Sequence, residues 1–246
     1  MNNTNVSIAT ITWARDEGEE NLLRESLEKL AKLPITVFIT DGGSRPDFLD
    51  FLRGFPNFVL VENKGRGLWP QAKNSLLEAY ASGVEFIFYT EPDKRDFFHN
   101  TLPGIMEQFE RDEKSGIMIM TRSVKSFATF PSFQRMTETT INNCCAEIIG
   151  NPLDYTYGPF IMNRKLIPHL ERLKDDIGWG WRPYSFCVAH RLGFSIRAFE
   201  GDFYCPVDQQ QDDPTERIYR MRQLNQNIEG IVLSTSVSLE PATDRV

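Results

Sequence analysis

Apolar residues recur along this chain with two periods, one of about two residues and one of about 3.6, and the two take turns. Val6 to Thr12 alternates and is rich in β-branched residues, so a first strand is expected there. It should end in a ligand-facing loop, Trp13-Ala14-Arg15-Asp16-Glu17. From Glu19 to Leu33 the residues Leu22, Leu23, Leu27 and Leu30 fall at helical spacing, and Pro34 stops the run. Ile35 to Thr40 is a second expected strand, running into Asp41-Gly42-Gly43-Ser44, where glycine permits positive φ and close backbone approach. Ser44, Pro46 and Asp47 then open a short helix with Phe48, Leu49, Phe51 and Leu52 on its apolar face. Asn57 to Val61 reads as a third strand, and Glu62 to Gly67 as a glycine-spaced basic loop leading into a helix through about Ser82. Glu85 to Thr90 is the fourth strand.

The second half is less regular. A helix is expected over Thr101 to Asp112, a strand over Gly116 to Thr121, an aromatic loop over Phe127 to Phe133 and a helix over Gln134 to Ile149. Cys144 and Cys145 are expected to pack in that helix as small apolar residues. Further on come a strand over Tyr155 to Met162, a helix over Leu166 to Leu173, a helix from Pro183 to Leu192 and a strand over Phe194 to Phe199. A last helix opens at Asp213-Pro214-Thr215-Glu216 and is expected to reach about Asn227. Strand alternating with helix at this spacing predicts right-handed βαβ units and a mostly parallel sheet with helices on both faces, an α/β fold. No repeat or linker divides the chain, so one domain over 1–246 is expected, with a frayed tail over 233–246.

Composition narrows the classes. At 246 residues and 41% hydrophobic, the chain is long enough for a substantial core. A net charge of -7 and a pI near 5.1 argue against a nucleic-acid partner, which would need a basic face. Four cysteines without metal-ligand spacing read as reduced thiols, and the expected location is the cytoplasm. No run of about 18 apolar residues occurs, so no membrane span is expected, while peripheral contact stays open.

Chemistry concentrates at strand ends. After the fourth strand the chain turns acidic at Glu91-Pro92-Asp93, and Pro92 stiffens the backbone that presents the two acids. Ligands bind outside the carboxyl ends of strands in open α/β sheets. Two carboxylates there suit Mg²⁺ or Mn²⁺, which fill the rest of their shell with water and phosphate oxygens; an ordinary acidic loop is the alternative. Lys64, Arg66 and Lys73 are candidates to face a diphosphate, or else to coat a solvated turn. Trp179 and Trp181 are either sugar-stacking aromatics or core anchors.

Asp41 to Ser44, Asn63 to Gly67 and Glu91 to Asp93 follow the second, third and fourth strands in order. Together they resemble the Asp-Asp-Gly-Ser-like turn, the Asn-x-Gly stretch and the Asp-x-Asp-like metal motif of family 2-like glycosyltransferases of the GT-A fold. The resemblance covers roughly the first hundred residues. It implies a nucleotide-diphosphate sugar donor bound by about 1–122 and an unidentified acceptor bound by about 123–232. By the same resemblance Asp41, with Arg15 and Glu17 nearby, addresses the base, Asp93 and Glu91 hold Mg²⁺ or Mn²⁺, and Lys64, Arg66 and Lys73 contact the donor. Tyr157, Trp179 and Trp181 fall in the acceptor half.

Two departures from the family pattern stand out. Glu91 replaces the usual first Asp, and Trp181-Arg182-Pro183 stands where inverting members carry an acidic pair that includes the base. Asp175, Asp176, Asp202 and Asp208 are substitute candidates, with Asp176 and Asp208 carried forward as the catalytic ones. The alternatives are a retaining reaction without such a base or an inactive sugar- or nucleotide-binding module. A nucleotidyltransferase is the remaining rival, although Trp13 to Glu17 lacks the glycines its first loop would need.

Overall fold

The described strands are β1 (Val6–Thr12), β2 (Val37–Asp41), β3 (Phe58–Val61), β4 (Phe86–Tyr89), β5 (Ser115–Arg122), β6 (Phe160–Asn163) and β7 (Ser195–Gly201). They come from a computed structural model that describes residues 5–108, 115–210 and 212–237. The chain divides into two compact units, Met1–Glu113 with Pro159–Ile167, and Lys114–Gly158 with Pro168–Val246.

In the first unit the strand order is β3-β2-β1-β4-β6. The pairs β3/β2, β2/β1 and β1/β4 are parallel, and β6 runs antiparallel to β4. Strands β1, β2 and β4 are buried along nearly their whole length, as parallel strands covered on both faces must be. Between them run α1 (Glu17–Leu30), α2 (Pro46–Arg53) and α3 (Leu68–Ala81). Asp16 caps α1 by accepting from Glu19 N at 2.9 Å, so this helix begins two residues earlier than its apolar period indicates. Glu20 ties α1 to the start of α2, accepting from Arg24 at 2.9 Å and from Arg45 at 2.6 Å. After β4 a helix not expected from the sequence, α4 (Arg95–Asn100), precedes α5 (Leu102–Gln108), which falls within the helix expected from Thr101; Asp112, the expected end, lies outside the described residues.

In the second unit β5 and β7 pair in parallel. The stretch read as an aromatic loop, Phe127 to Phe133, starts at the last residue of a helical turn, α6 (Val124–Phe127), and α7 (Ser132–Ile149) begins within it. The expected helix over Leu166 to Leu173 is a single turn, α8 (Ile167–Leu170). Then come α9 (Trp181–Arg191) and α10 (Pro214–Ser234). The strand expected from Tyr155 begins only at Phe160, because Tyr155 and Thr156 are engaged by side chains: Tyr155 N donates to Asn142 Oδ1 at 2.8 Å and Thr156 N to Asp154 Oδ1 at 3.2 Å.

The longer run of α10 has a packing cause. A Cβ on Gly230 would lie 2.0 Å from Gly180 O, and one on Gly180 would lie 2.1 Å from Gln226 O, so glycine lets two backbones touch. Gly230→Ala is therefore expected to lose about 3 kcal/mol, roughly 6–12 °C in Tm, from overpacking. Gly104→Ala, which meets nothing within 4 Å in α5, should be neutral or slightly stabilising in the same thermal melt.

Candidate functional site

The chain builds β1, β2 and β3 outward in one direction and then returns to lay β4 on the other side of β1. In open α/β sheets such a reversal of strand order marks the general ligand position, outside the carboxyl ends of the two strands that flank it, here β1 and β4. In register, Thr12 ends β1 opposite Asp41 at the end of β2, and Thr90 N donates to Ala9 O at 3.2 Å as β4 ends. With neighbouring strands about 4.8 Å apart, Asp41 and the Glu91–Asp93 loop leave the same sheet edge roughly 10 Å apart across β1. The three loops that carry the resemblance lie in one unit and on one edge.

Asp41 is the latch of this edge. Its Oδ2 accepts from Thr12 Oγ1 at 2.8 Å and Ser44 Oγ at 2.7 Å, and its Oδ1 from Gly43 N at 2.8 Å and Ser44 N at 2.7 Å. Ser44 Oγ in turn accepts from Ala14 N at 2.8 Å, which pins the loop after β1. Asn63 Nδ2 donates to Asp41 O at 3.1 Å, and Asn63 Oδ1 accepts from Gly65 N at 3.2 Å, which pins the loop after β3. Any base addressing Asp41 meets a carboxylate that already accepts four hydrogen bonds. Thr12, Ser44 and Asn63 were missed as positioning residues, although a short polar side chain beside each turn was a signal for it. Ser44→Ala should cost about 1–3 kcal/mol in denaturant unfolding, because the buried Ala14 N–H loses its acceptor.

The side chains around this latch are unevenly occupied. Trp13 is 51% exposed above Gly42, whose added Cβ would sit 3.0 Å from Trp13 Cγ. The Arg15 guanidinium lies 5.6 Å from the Trp13 ring centre and is also bonded to Glu19, with Nε to Oε2 at 2.9 Å. Glu17 is exposed in the first turn of α1. Lys64 and Arg66 are exposed between β3 and α3, with Lys64 3.9 Å from Glu62, and Lys73 is half-buried one turn further on. Gly67, at φ 103°, precedes α3, whose first turn receives no side-chain cap.

Beyond β4, Glu91 Oε2 and Asp93 Oδ1 are both shut off from solvent. Lys94 Nζ lies 3.5 Å from Asp93 Oδ1. Among the described residues no three His, Cys, Asp or Glu side chains form a metal cage. The donor set is thus two carboxylates, which fits a cation that brings phosphate oxygens and water with it rather than one held by protein alone.

In the second unit the expected aromatic pair splits. Trp181 is fully buried and acts as a core anchor, which corrects its reading as an acceptor contact, because the first turn of α9 turns it inward. Trp179 stays half-exposed, its Nε1 donating to Tyr219 Oη at 2.8 Å, with the Arg182 guanidinium 5.7 Å from its ring centre. Tyr157 stacks on Phe203 at 4.5 Å with an interplanar angle of 6°. Arg182 and Pro183 are buried in α9, so no carboxylate enters where an inverting base was sought. Asp175 and Asp176 are exposed in the turn before α9. Asp202 is exposed, and hydrogen bonds from Ser123 and Tyr204, with the charge of Lys125, hold its carboxyl below the ordinary range. The side chain of Asp208 lies outside what the structure describes.

A cluster that sequence reasoning did not find lies behind Tyr157. Arg122, with a side chain 1% exposed, donates to Asp154 at 2.7 and 2.9 Å, to Glu138 at 2.7 Å and to Thr156 at 2.9 Å. Its guanidinium lies 4.6 and 4.4 Å from the ring centres of Phe127 and Phe130. Burial works to raise the Asp154 carboxyl, but the Arg122 hydrogen bonds and charge outweigh it and hold the group at about 2.

No family model matches the chain, and no curated protein is similar to it. Solved structures do match. Glucosyl-3-phosphoglycerate synthase from Mycobacterium tuberculosis in complex with UDP superposes with a TM-score of 0.65 at 13% identity, covering 95% of this chain and 81% of that one. The same enzyme with Mn²⁺, UDP-glucose and phosphoglyceric acid gives 0.62 at 13% identity, covering 94% and 80%. With Mg²⁺ and UDP it gives 0.60 at 13% identity, covering 95% and 80%. At such identity the likeness speaks for architecture alone. This chain has the α/β, mostly parallel GT-A-like fold of the nucleotide-diphospho-sugar transferases.

Proposed function

We propose that the protein transfers a sugar from a nucleoside diphosphate sugar, a UDP-sugar first among candidates, to an acceptor, with a divalent cation at Glu91 and Asp93. The observation that carries this reading is the shared edge of β2, β1 and β4, on which the Asp41 latch and the two acids lie about a nucleoside diphosphate's length apart. Mn²⁺ or Mg²⁺ in the structures of glucosyl-3-phosphoglycerate synthase with UDP supports the same assignment.

In this reading Asp41 keeps the loops after β1 and β3 in place, so that Trp13, Arg15 and Glu17 flank the base and Lys64, Arg66 and Lys73 contact the diphosphate. Glu91 and Asp93 hold the cation, which neutralises charge on the departing diphosphate. Lys64 and Arg66 add charge-assisted hydrogen bonds to the same oxygens. Tyr157 and Trp179 are the aromatics left to meet an acceptor. The four free cysteines support a reducing compartment, the cytoplasm. Among the described residues no helix is long and apolar enough to cross a membrane.

A second reading, a binding module without turnover, is favoured by buried Arg182 and Pro183 at the place of the usual base. A thermal-shift screen of nucleoside diphosphates and their sugars with Mn²⁺, followed by donor hydrolysis, separates the two. Transferase activity predicts a raised Tm and slow hydrolysis of at least one donor, whereas a Tm rise with no hydrolysis or transfer favours the module. No shift with any nucleotide would contradict both.

A further inference from the structure

Asp93 has a cation beside it already. Lys94 Nζ lies 3.5 Å from Asp93 Oδ1, an oxygen closed off from solvent, and the two side chains are only 20% and 30% exposed. The backbone fixes this pair: Arg95 N donates to Asp93 O at 3.0 Å, and Phe98 N to Lys94 O at 2.9 Å, so both residues are set into the start of α4. Partial shelter lowers the effective dielectric and strengthens every charge interaction at this spot.

We infer that Lys94 makes cation binding conditional on the diphosphate. A dication arriving alone must meet the ammonium as a like charge and compete with it for Asp93. A diphosphate supplies the negative charge that lets the dication take Asp93 and gives Lys94 a new anion to face. Binding of each ligand therefore strengthens the other by the same factor, as linkage requires, and Lys94 is one source of that factor. Lys94 is a specificity-determining residue for ligand order: it disfavours metal without nucleotide and favours nucleotide without metal.

The inference rests on the cation assignment to Asp93, and the test separates the two. Mn²⁺ binding is measured by electron paramagnetic resonance and UDP binding by calorimetry, each alone and together, on the full chain and on Lys94→Met, Lys94→Arg and Asp93→Asn. Lys94→Met should tighten Mn²⁺ alone by about tenfold and weaken UDP alone by about tenfold, roughly 1.4 kcal/mol in opposite directions. Lys94→Arg, which keeps the charge, should behave as the native chain. Equal or parallel changes in both affinities for Lys94→Met overturn the inference while leaving the site assignment standing. If Mn²⁺ fails to bind the native chain even with UDP, or Asp93→Asn leaves joint binding unchanged, the cation assignment falls and the inference with it.

Discussion

Asp93→Asn is expected to reduce sugar transfer or donor hydrolysis by at least about a thousandfold, some 4 kcal/mol of transition-state stabilisation, with Tm little changed. The substitution keeps shape and removes the charge that makes the side chain a ligand for a hard cation. The loop is held by backbone bonds such as Arg95 N to Asp93 O at 3.0 Å, which Asn preserves, and the amide keeps an oxygen for Lys94. Glu91→Gln should cost less, about tenfold, since its longer arm leaves more of the shell to water. Steady-state rates under saturating Mn²⁺ check both; unchanged turnover in Asp93→Asn would count against a cation at this loop.

The second large effect is structural. Arg122→Met should destabilise the protein by about 3–5 kcal/mol, because buried Asp154 would lose the cation it pairs with and buried Glu138 would be left with the longer ion pair to Arg220 at 4.0 Å. Loss of the stacking against Phe127 and Phe130 adds to it. The same cluster gives a pH dependence. Asp154 in the folded state titrates at about 2, below the ordinary 3.8, so its contribution of about 2 kcal/mol is complete above about pH 4 and is lost as pH falls towards 2. Asp154→Asn should flatten that acid limb. Urea unfolding between pH 2 and 7 measures both effects, and a native-like midpoint for Arg122→Met would contradict this account of the cluster.

What could be read from the sequence follows how local each signal is. Strands β1 to β4 and helices α1 to α3 declare themselves through period and punctuation, because their apolar residues recur at strand or helix spacing between clear breaks. The carboxyl-edge loops follow from that alternation, since a parallel strand must end where the next helix begins. The Arg122 cluster was hidden because its partners lie 16 and 32 residues away, and no local pattern marks a buried cation among aromatics. Trp179 and Trp181 have the same immediate context in Gly178-Trp-Gly180-Trp, and only the turn into α9 sends one outward and the other into the core. Asp41 was legible as an important acid, but its four hydrogen-bond donors come partly from Thr12, 29 residues earlier, so its role in holding the edge required coordinates. Lys94 stood in plain view beside Asp93, and its meaning depends on a distance that the sequence does not give.

The central claim is geometric, so the most direct measurement is a crystal structure of the chain grown with UDP and Mn²⁺. The account predicts the uracil beside the loops latched by Asp41 and Mn²⁺ between the diphosphate and Asp93, at the carboxyl ends of β1, β2 and β4. Nucleotide bound elsewhere, for instance in the surface depression lined by Tyr80, Glu85 and Arg164 at the opposite end of β4, would contradict it.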